Sequence, residues 1–202
     1  EKIYQTDSIY LENFKTSSVV HNDSILTNIK WVNSDTISPT KADINFNTYF
    51  RGLNDFTTQF YDSYFMVDDT LWNVNENNQI DYFKEDTLEL SVKSLGFKAG
   101  NQSILIDGKL SGDENDQLDV ALQKFNLAII QKFIPSNIAT IKGMVDGVFS
   151  IKKEKEELIF TSDITFNDLA INQSNLGSGE VKSVWSTIEK KLYLDGQFYK
   201  GH

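Results

Sequence analysis

Few residues here could do covalent or metal chemistry. The sequence holds two histidines and no cysteine. His21 lies in SVVHNDSI, where a hairpin turn is expected, and His202 is the last residue. Neither has a serine or cysteine nucleophile motif beside it, so spacing assembles no catalytic site. A thiolate zinc site and a histidine-rich metal site are excluded by count. The acidic stretch DGKLSGDENDQLD invites a calcium reading, which needs glycine at the sixth position and glutamate at the twelfth. Counted from Asp113, those positions hold Leu118 and Lys124, so a solvated hairpin tip is the reading. LGSGE (Leu176 to Glu180) lacks the lysine and following helix of a phosphate loop and reads as a turn. Asp68-Asp69 and Asp113 to Asp116 supply carboxylates for glycosidase chemistry, yet no buried pair stands out. The aromatic run FYDSYF could make a sugar platform; strict alternation sends Tyr61 and Phe65 to one face and Phe60 and Tyr64 to the other. The expectation is a protein with no catalytic residues, no metal and no cofactor.

Around these residues the dominant pattern is period-two alternation, the signature of strands with one apolar face. ADINFNTYF places Ile44, Phe46, Thr48 and Phe50 together. TLELSVKSL places Leu88, Leu90 and Val92 opposite Glu89, Ser91 and Lys93. SILIDG contributes Ile104 and Ile106, and DQLDVALQ contributes Leu118, Val120 and Leu122 opposite Asp119, Ala121 and Gln123. GMVDGVFSI gives Val145, Phe149 and Ile151, LIFTSDITF gives Leu158, Phe160, Ile164 and Phe166, and LYLDGQF gives Leu192, Leu194 and Phe198. Turn material separates the runs: NSD, NENNQ, GDEND, KKEKEE and LGSG. Glycines 96, 100, 108, 112, 143 and 147 fall within or beside strands, where glycine marks bends and bulges. NLAIIQKFIPS alone resists strand assignment. Its Leu127, Ile130 and Ile134 fit a short amphipathic helix over 127–134, stopped by Pro135. No strict repeat is visible, and strand-rich halves of about 1–125 and 138–202 flank this helix. Such runs of strands fit a sandwich, a barrel or an elongated sheet; the fold class expected is all-β, an elongated, curled antiparallel meander sheet with one short helix, whose curl could close a barrel or leave an open trough.

Composition bounds the partners. The 202 residues are 40% hydrophobic, enough for a core. The net charge of −10, spread along the chain, excludes the basic stripe that nucleic acid requires. It also leaves no polybasic patch for an anionic membrane surface. No apolar run approaches the ~20 residues of a membrane-spanning helix. The chain begins at Glu1 without methionine, and the expectation is a piece of a longer protein.

An ordered series of stretches resembles the TamB family of the AsmA-like group, in its Bacteroidota branch. The series runs SIYLENFKTSS (8–18), ILTNIKW (25–31), SYFMVDDTLWNVNENNQI (63–80) and TLELSVKSLGFKAGNQSILIDGKLSG (87–112). It continues with DQLDVALQKFNLAIIQKFI (116–134), IKGMVDGVFSI (141–151) and ITFNDLAINQSNLGSGEV (164–181). Together these stretches span nearly the whole chain. The resemblance implies one segment, 1–202, of a long periplasmic protein anchored in the inner membrane by a part absent from this chain. It implies a sheet curled into a trough with an apolar interior, and work with an outer-membrane β-barrel protein of the BAM-like class. The roles implied are carriage of phospholipid between the membranes and support of outer-membrane protein assembly.

On this reading phospholipid acyl chains lie against Leu88, Leu90, Val92, Ile104, Ile106, Leu118, Val120, Leu122, Val145, Phe149, Phe160 and Ile164. The same alternation also fits an ordinary closed core. Two further readings stand beside it: a non-enzymatic module that pairs an exposed strand edge with a partner, and an extracellular carbohydrate-binding or adhesive sandwich using Tyr61, Tyr64 and Phe65.

Overall fold

The computed structural model describes residues 12–33, 40–67, 69–131, 134, 138–154, 157–186 and 188–199. These form thirteen strands and one short helix. The protein is all-β with antiparallel meander connectivity, and it divides into two compact units, Glu1–Gly100 and Asn101–His202.

In the first unit β1 (Lys15–His21), β2 (Ser24–Asn33), β3 (Thr40–Gly52) and β4 (Asp55–Val67) pair in chain order. Next, β5 (Thr70–Val74) and β6 (Gln79–Lys84) share one lane between β4 and β7 (Leu88–Ala99). The NENN stretch leaves this lane, and two asparagine side chains repair the ladder there. Phe60 N donates to Asn78 Oδ1 at 2.8 Å while Asn78 Nδ2 donates to Phe60 O at 3.0 Å. On the other side Gly96 N donates to Asn75 Oδ1 at 2.9 Å. A carboxamide carries the same donor and acceptor as a peptide group, so it can stand in for one.

In the second unit β8 (Gln102–Leu110), β9 (Gln117–Asn126), β10 (Ile141–Glu154), β11 (Glu157–Ile171), β12 (Ser174–Ser186) and β13 (Lys191–Tyr199) pair strictly in order. The helix α1 is a single turn, Ala128–Gln131, shorter than the 127–134 expected. Lys132, Phe133 and Pro135 lie outside the described residues. Asn126 Oδ1 caps the turn by accepting from Ala128 N at 2.9 Å. Gln131 then ties the turn to β10, its Oε1 accepting from Ile141 N at 2.6 Å.

Four strands break alternation in the same way. In β4, β7, β9 and β11 a residue with left-handed backbone sits in mid-strand: Asp62 (φ 42°), Ser94 (φ 51°), Lys124 (φ 46°) and Asp168 (φ 52°). Each is the third residue of a six-residue stretch: FYDSYF (60–65), VKSLGF (92–97), LQKFNL (122–127) and FNDLAI (166–171). The bulge inserts one residue, so the inward positions become first, fourth and sixth instead of first, third and fifth. A side chain on the neighbouring strand, or in the case of Asn75 just beyond its end, catches the backbone group each bulge frees. Asn45 Nδ2 donates to Asp62 O (2.9 Å), and Asn75 Nδ2 to Ser94 O (2.6 Å). Lys124 N donates to Asp146 Oδ1 (2.8 Å), and Asp168 N to Ser178 Oγ (3.2 Å). This recurring motif was hidden in the sequence because only its geometry is constant.

The bulge at Asp62 overturns the alternation expected of FYDSYF. Tyr61 pairs with Asn45 and Tyr64 with Asp43, so both tyrosines share the polar face. Phe60 and Phe65 share the apolar face, where Phe65 stacks on Trp72 at 6.2 Å. LGSGE is likewise no turn, since it lies inside β12. Its glycines serve close strand approach: a Cβ at Gly179 would stand 2.2 Å from Gln197 O, and Gly177 has φ 85°.

Candidate functional site

The strand registers sort the residues of each unit into one polar and one apolar face. In the second unit one row runs Ile104, Leu122, Gly147, Ile164, Val181 and Gly196. The next runs Ile106, Val120, Phe149, Ser162, Ser183 and Leu194. A third joins Leu118 to Ile151 and Phe160, and a fourth joins Phe125 to Val145 and Phe166. In the first unit Leu90 follows Tyr82 and Phe56, and Val92 follows Ile80 and Thr58. Leu88 pairs with Lys84 at the hairpin end. Each candidate residue thus falls on the apolar face of its own unit, Leu88, Leu90 and Val92 in the first and the other nine in the second.

Hydroxyls on these faces pair with one another in places, while Trp31 Nε1 and Thr40 Oγ1 in the first unit are buried without a hydrogen-bond partner. Ser162 and Ser183 hydroxyls meet at 2.7 Å, and Thr48 and Thr58 at 3.0 Å. Between hairpin ends, and apart from the bulge residues Asp62, Lys124 and Asp168, the described strand residues place no charge on either apolar face. Lys84 and Lys153 stand on these faces only at strand ends.

Burial along the face is graded. Val92, Leu118, Val145 and Ile164 are buried, with Val145 only 2% exposed. Leu90, Ile104, Ile106, Val120 and Leu122 are half-buried. Leu88, Phe149 and Phe160 are exposed, Phe160 at 44%. Two deep positions in the second unit, Ile164 and Leu118, have a glycine beside them. A Cβ on Gly147 would come 2.2 Å from Asp163 O and 2.8 Å from Ile164 Cα; one on Gly108 would come 2.1 Å from Gln117 O. Both glycines have positive φ, 139° and 120°, a backbone that favours glycine. Missing side chains let neighbouring strands approach closely, and Ile164 and Leu118 are buried where they do. Within the second unit the described elements form one layer, with α1 packed on β10. No second sheet lies among them to cover the apolar face.

The polar face is held by side-chain networks. Asp43 receives Asn28 Nδ2 at 2.7 Å and Lys30 Nζ at 2.8 Å. Burial pushes the Asp43 carboxyl up, but the hydrogen bonds from Lys30 and Asn28 and the Lys30 charge outweigh it, and the group titrates below the usual range. Farther along, Arg51 bonds Asp55 and Thr57, and Gln79 bonds Asp81 at 2.6 Å. In the acidic loop Asp116 accepts from Ser111 Oγ at 2.6 Å and pairs with Lys109 at 3.2 Å, so its carboxyl is lowered, chiefly by the Ser111 bond. No group of three or more metal-ligating side chains occurs among the described residues. His21 ends β1, its carbonyl accepting from Ser24 Oγ at 3.2 Å. His202 and Asp68 lie outside the described residues.

No protein-family model, curated protein or solved structure matches this chain. The residues that alternation alone missed are Phe125, Leu127, Leu95 and Leu169, all buried. They follow the bulges, and their signal is apolar spacing of three, then two.

Proposed function

We propose that the chain is a segment of a periplasmic TamB-like protein, anchored to the inner membrane through another part. Its apolar face holds phospholipid acyl chains and lets them slide. The observation supporting this is the apolar face of β8–β13, free of charge between its hairpin ends and bulges, graded in burial and lined by close-approach glycines, with no second sheet over it among the described residues of that unit. Each methylene withdrawn from water contributes about 0.8 kcal/mol, so a ~16-carbon chain gains on the order of 10 kcal/mol before ordering costs. Paired hydroxyls and aliphatic walls offer no fixed charge to arrest movement. Headgroups stay at the solvent edge, and an outer-membrane β-barrel protein of the BAM-like class receives the cargo or a folding client.

Native mass spectrometry of the chain, purified gently and then extracted for lipid, tests this. Bound phospholipid is expected, lost in Val120→Asp and kept in Gln123→Asp on the opposite face of the same strand. Val120 is half-buried, so the aspartate can reach water and the fold survives. A lipid-free mass with a cooperative melt would overturn the proposal.

A further inference from the structure

Bulge residues apart, the charged residues that the described strands set on the apolar faces are Lys84 and Lys153, one in each unit. Their surroundings repeat. In the first unit Lys84 pairs with Leu88, and the next row inward pairs Tyr82 with Leu90. In the second Lys153 pairs with Leu158, and the next row inward pairs Ile151 with Phe160. Each lysine thus shares the outermost row with a leucine, one row from an aromatic ring and an aliphatic side chain. Both rows are interior to the sheet, since β6 lies between β4 and β7, and β10 between β9 and β11. Both are also open to solvent, with Leu88 39% and Leu158 45% exposed. The far ends of the same faces are dry: Leu95, beyond the bulge of β7, is buried, as are Val145 and its partner Phe125. The cation stands where water is, and the apolar surface runs inward from it.

We propose that Lys84 and Lys153 each receive the phosphate of a phospholipid whose acyl chain lies along the strands, from the open row toward the bulges. This rests on the acyl-chain reading above and adds the head to it. A lysine at the wet end of an apolar face lays its methylenes on that face and holds its ammonium in water, where it complements one anionic head joined to an apolar tail. A neutral amphiphile leaves the ammonium unused. An added peptide strand needs a free backbone edge, which strands interior to the sheet do not offer. From Lys153 to Val145, β10 spans roughly 26 Å at about 3.3 Å per residue. The tails of one leaflet fill about half of a ~30 Å hydrocarbon core, so one tail fits along the strand with room to slide.

Isothermal titration of the lipid-extracted chain with dodecyl phosphate and with dodecyl maltoside, each below its micelle concentration, compares a charged and a neutral head on one tail. Dodecyl phosphate should bind at least fivefold more tightly. That advantage should vanish in Lys84→Gln with Lys153→Gln, with far-UV circular dichroism unchanged because both lysines sit at strand ends. It should persist in Lys93→Gln with Lys182→Gln, which removes one lysine per unit from the polar faces. Equal binding of the two probes, or an advantage that survives loss of Lys84 and Lys153, overturns the head assignment and leaves the acyl-chain reading standing. Binding of neither probe overturns both. Dodecanoate is the third probe: if it equals dodecyl phosphate in affinity and in dependence on the two lysines, a fatty-acid carboxylate displaces the phosphate and the phospholipid assignment falls.

Discussion

Gly147→Ala tests whether the glycines on the apolar face set its depth. Gly147 lies between Leu122 and Ile164 in its row and has φ 139°. Alanine there meets two separate costs. Holding a non-glycine residue in that backbone region costs about 1–3 kcal/mol. The new Cβ also lies 2.2 Å from Asp163 O, so β10 and β11 must separate by about 1 Å. That loosens one or two ladder hydrogen bonds, worth about 0.5–1.5 kcal/mol each. Together these predict a loss of about 1.5–6 kcal/mol from the second unit. Gly52→Ala is the control: its φ is not positive and no atom lies within 4 Å of its Cβ, so the change should lie within about 1 kcal/mol of neutral. Urea unfolding followed by far-UV circular dichroism gives the stabilities, and hydrogen exchange of β10 and β11 amides localises the loss. If Gly147→Ala is as stable as Gly52→Ala, the close approach is not a real constraint and the glycine account of the bend fails.

Three more outcomes are expected. Trp72→Ala should cost about 3–5 kcal/mol in urea unfolding, since Trp72 is 1% exposed and stacked on Phe65. Lys124→Gly should leave stability unchanged or raise it by about 1 kcal/mol, because glycine enters the left-handed region freely, whereas Lys124→Val should lower it by more than that; paired thermal melts decide. Asp43 has its carboxyl lowered on folding, so its contribution is complete above the unfolded value of about 3.9 and is lost as pH falls through the lower folded value. Asp43→Asn should flatten the acid limb of the stability-versus-pH curve between those values, and an unchanged limb would refute the assignment.

Alternation within single strands was legible because a half-buried sheet repeats every two residues. It placed all twelve candidate positions on the apolar faces, from Leu88 to Ile164. Glycines 108, 143 and 147 were legible as bends for the same reason, being the wrong residue type for a flat strand. Left-handed bulges were not legible. The residues bearing them are Asp, Ser, Lys and Asp, and lysine carries no turn signal at all. Their effect is a parity change that makes a correct alternation wrong beyond the bulge, as at Tyr64. The length of α1 was misjudged because Leu127 belongs to the row after a bulge. Leu127 is buried, and its N donates to Gly143 O of β10 at 2.9 Å.

The bulges also explain how so polar a sequence keeps one apolar face. In the second unit, after Lys124 and after Asp168, an unbulged strand would have turned Phe125 and Leu169 to the polar side. Both are instead among the most buried residues, at 6% and 4% exposure. The inserted residue leaves one backbone group unpaired, which would cost about 1–3 kcal/mol if buried without a partner. Asp146 and Ser178 supply that partner from the adjacent strands. Replacing Asp146 with alanine removes the acceptor for Lys124 N but leaves the φ requirement in place. Replacing both Asp146 with alanine and Lys124 with glycine frees the segment to relax. If the capture is what holds the bulge, the single change should expose Phe125 to solvent exchange, and the double change should not restore its protection. Protection of the Phe125 amide undiminished in Asp146→Ala would place the determinant in side-chain packing instead, with Val145 opposite Phe125 as its anchor.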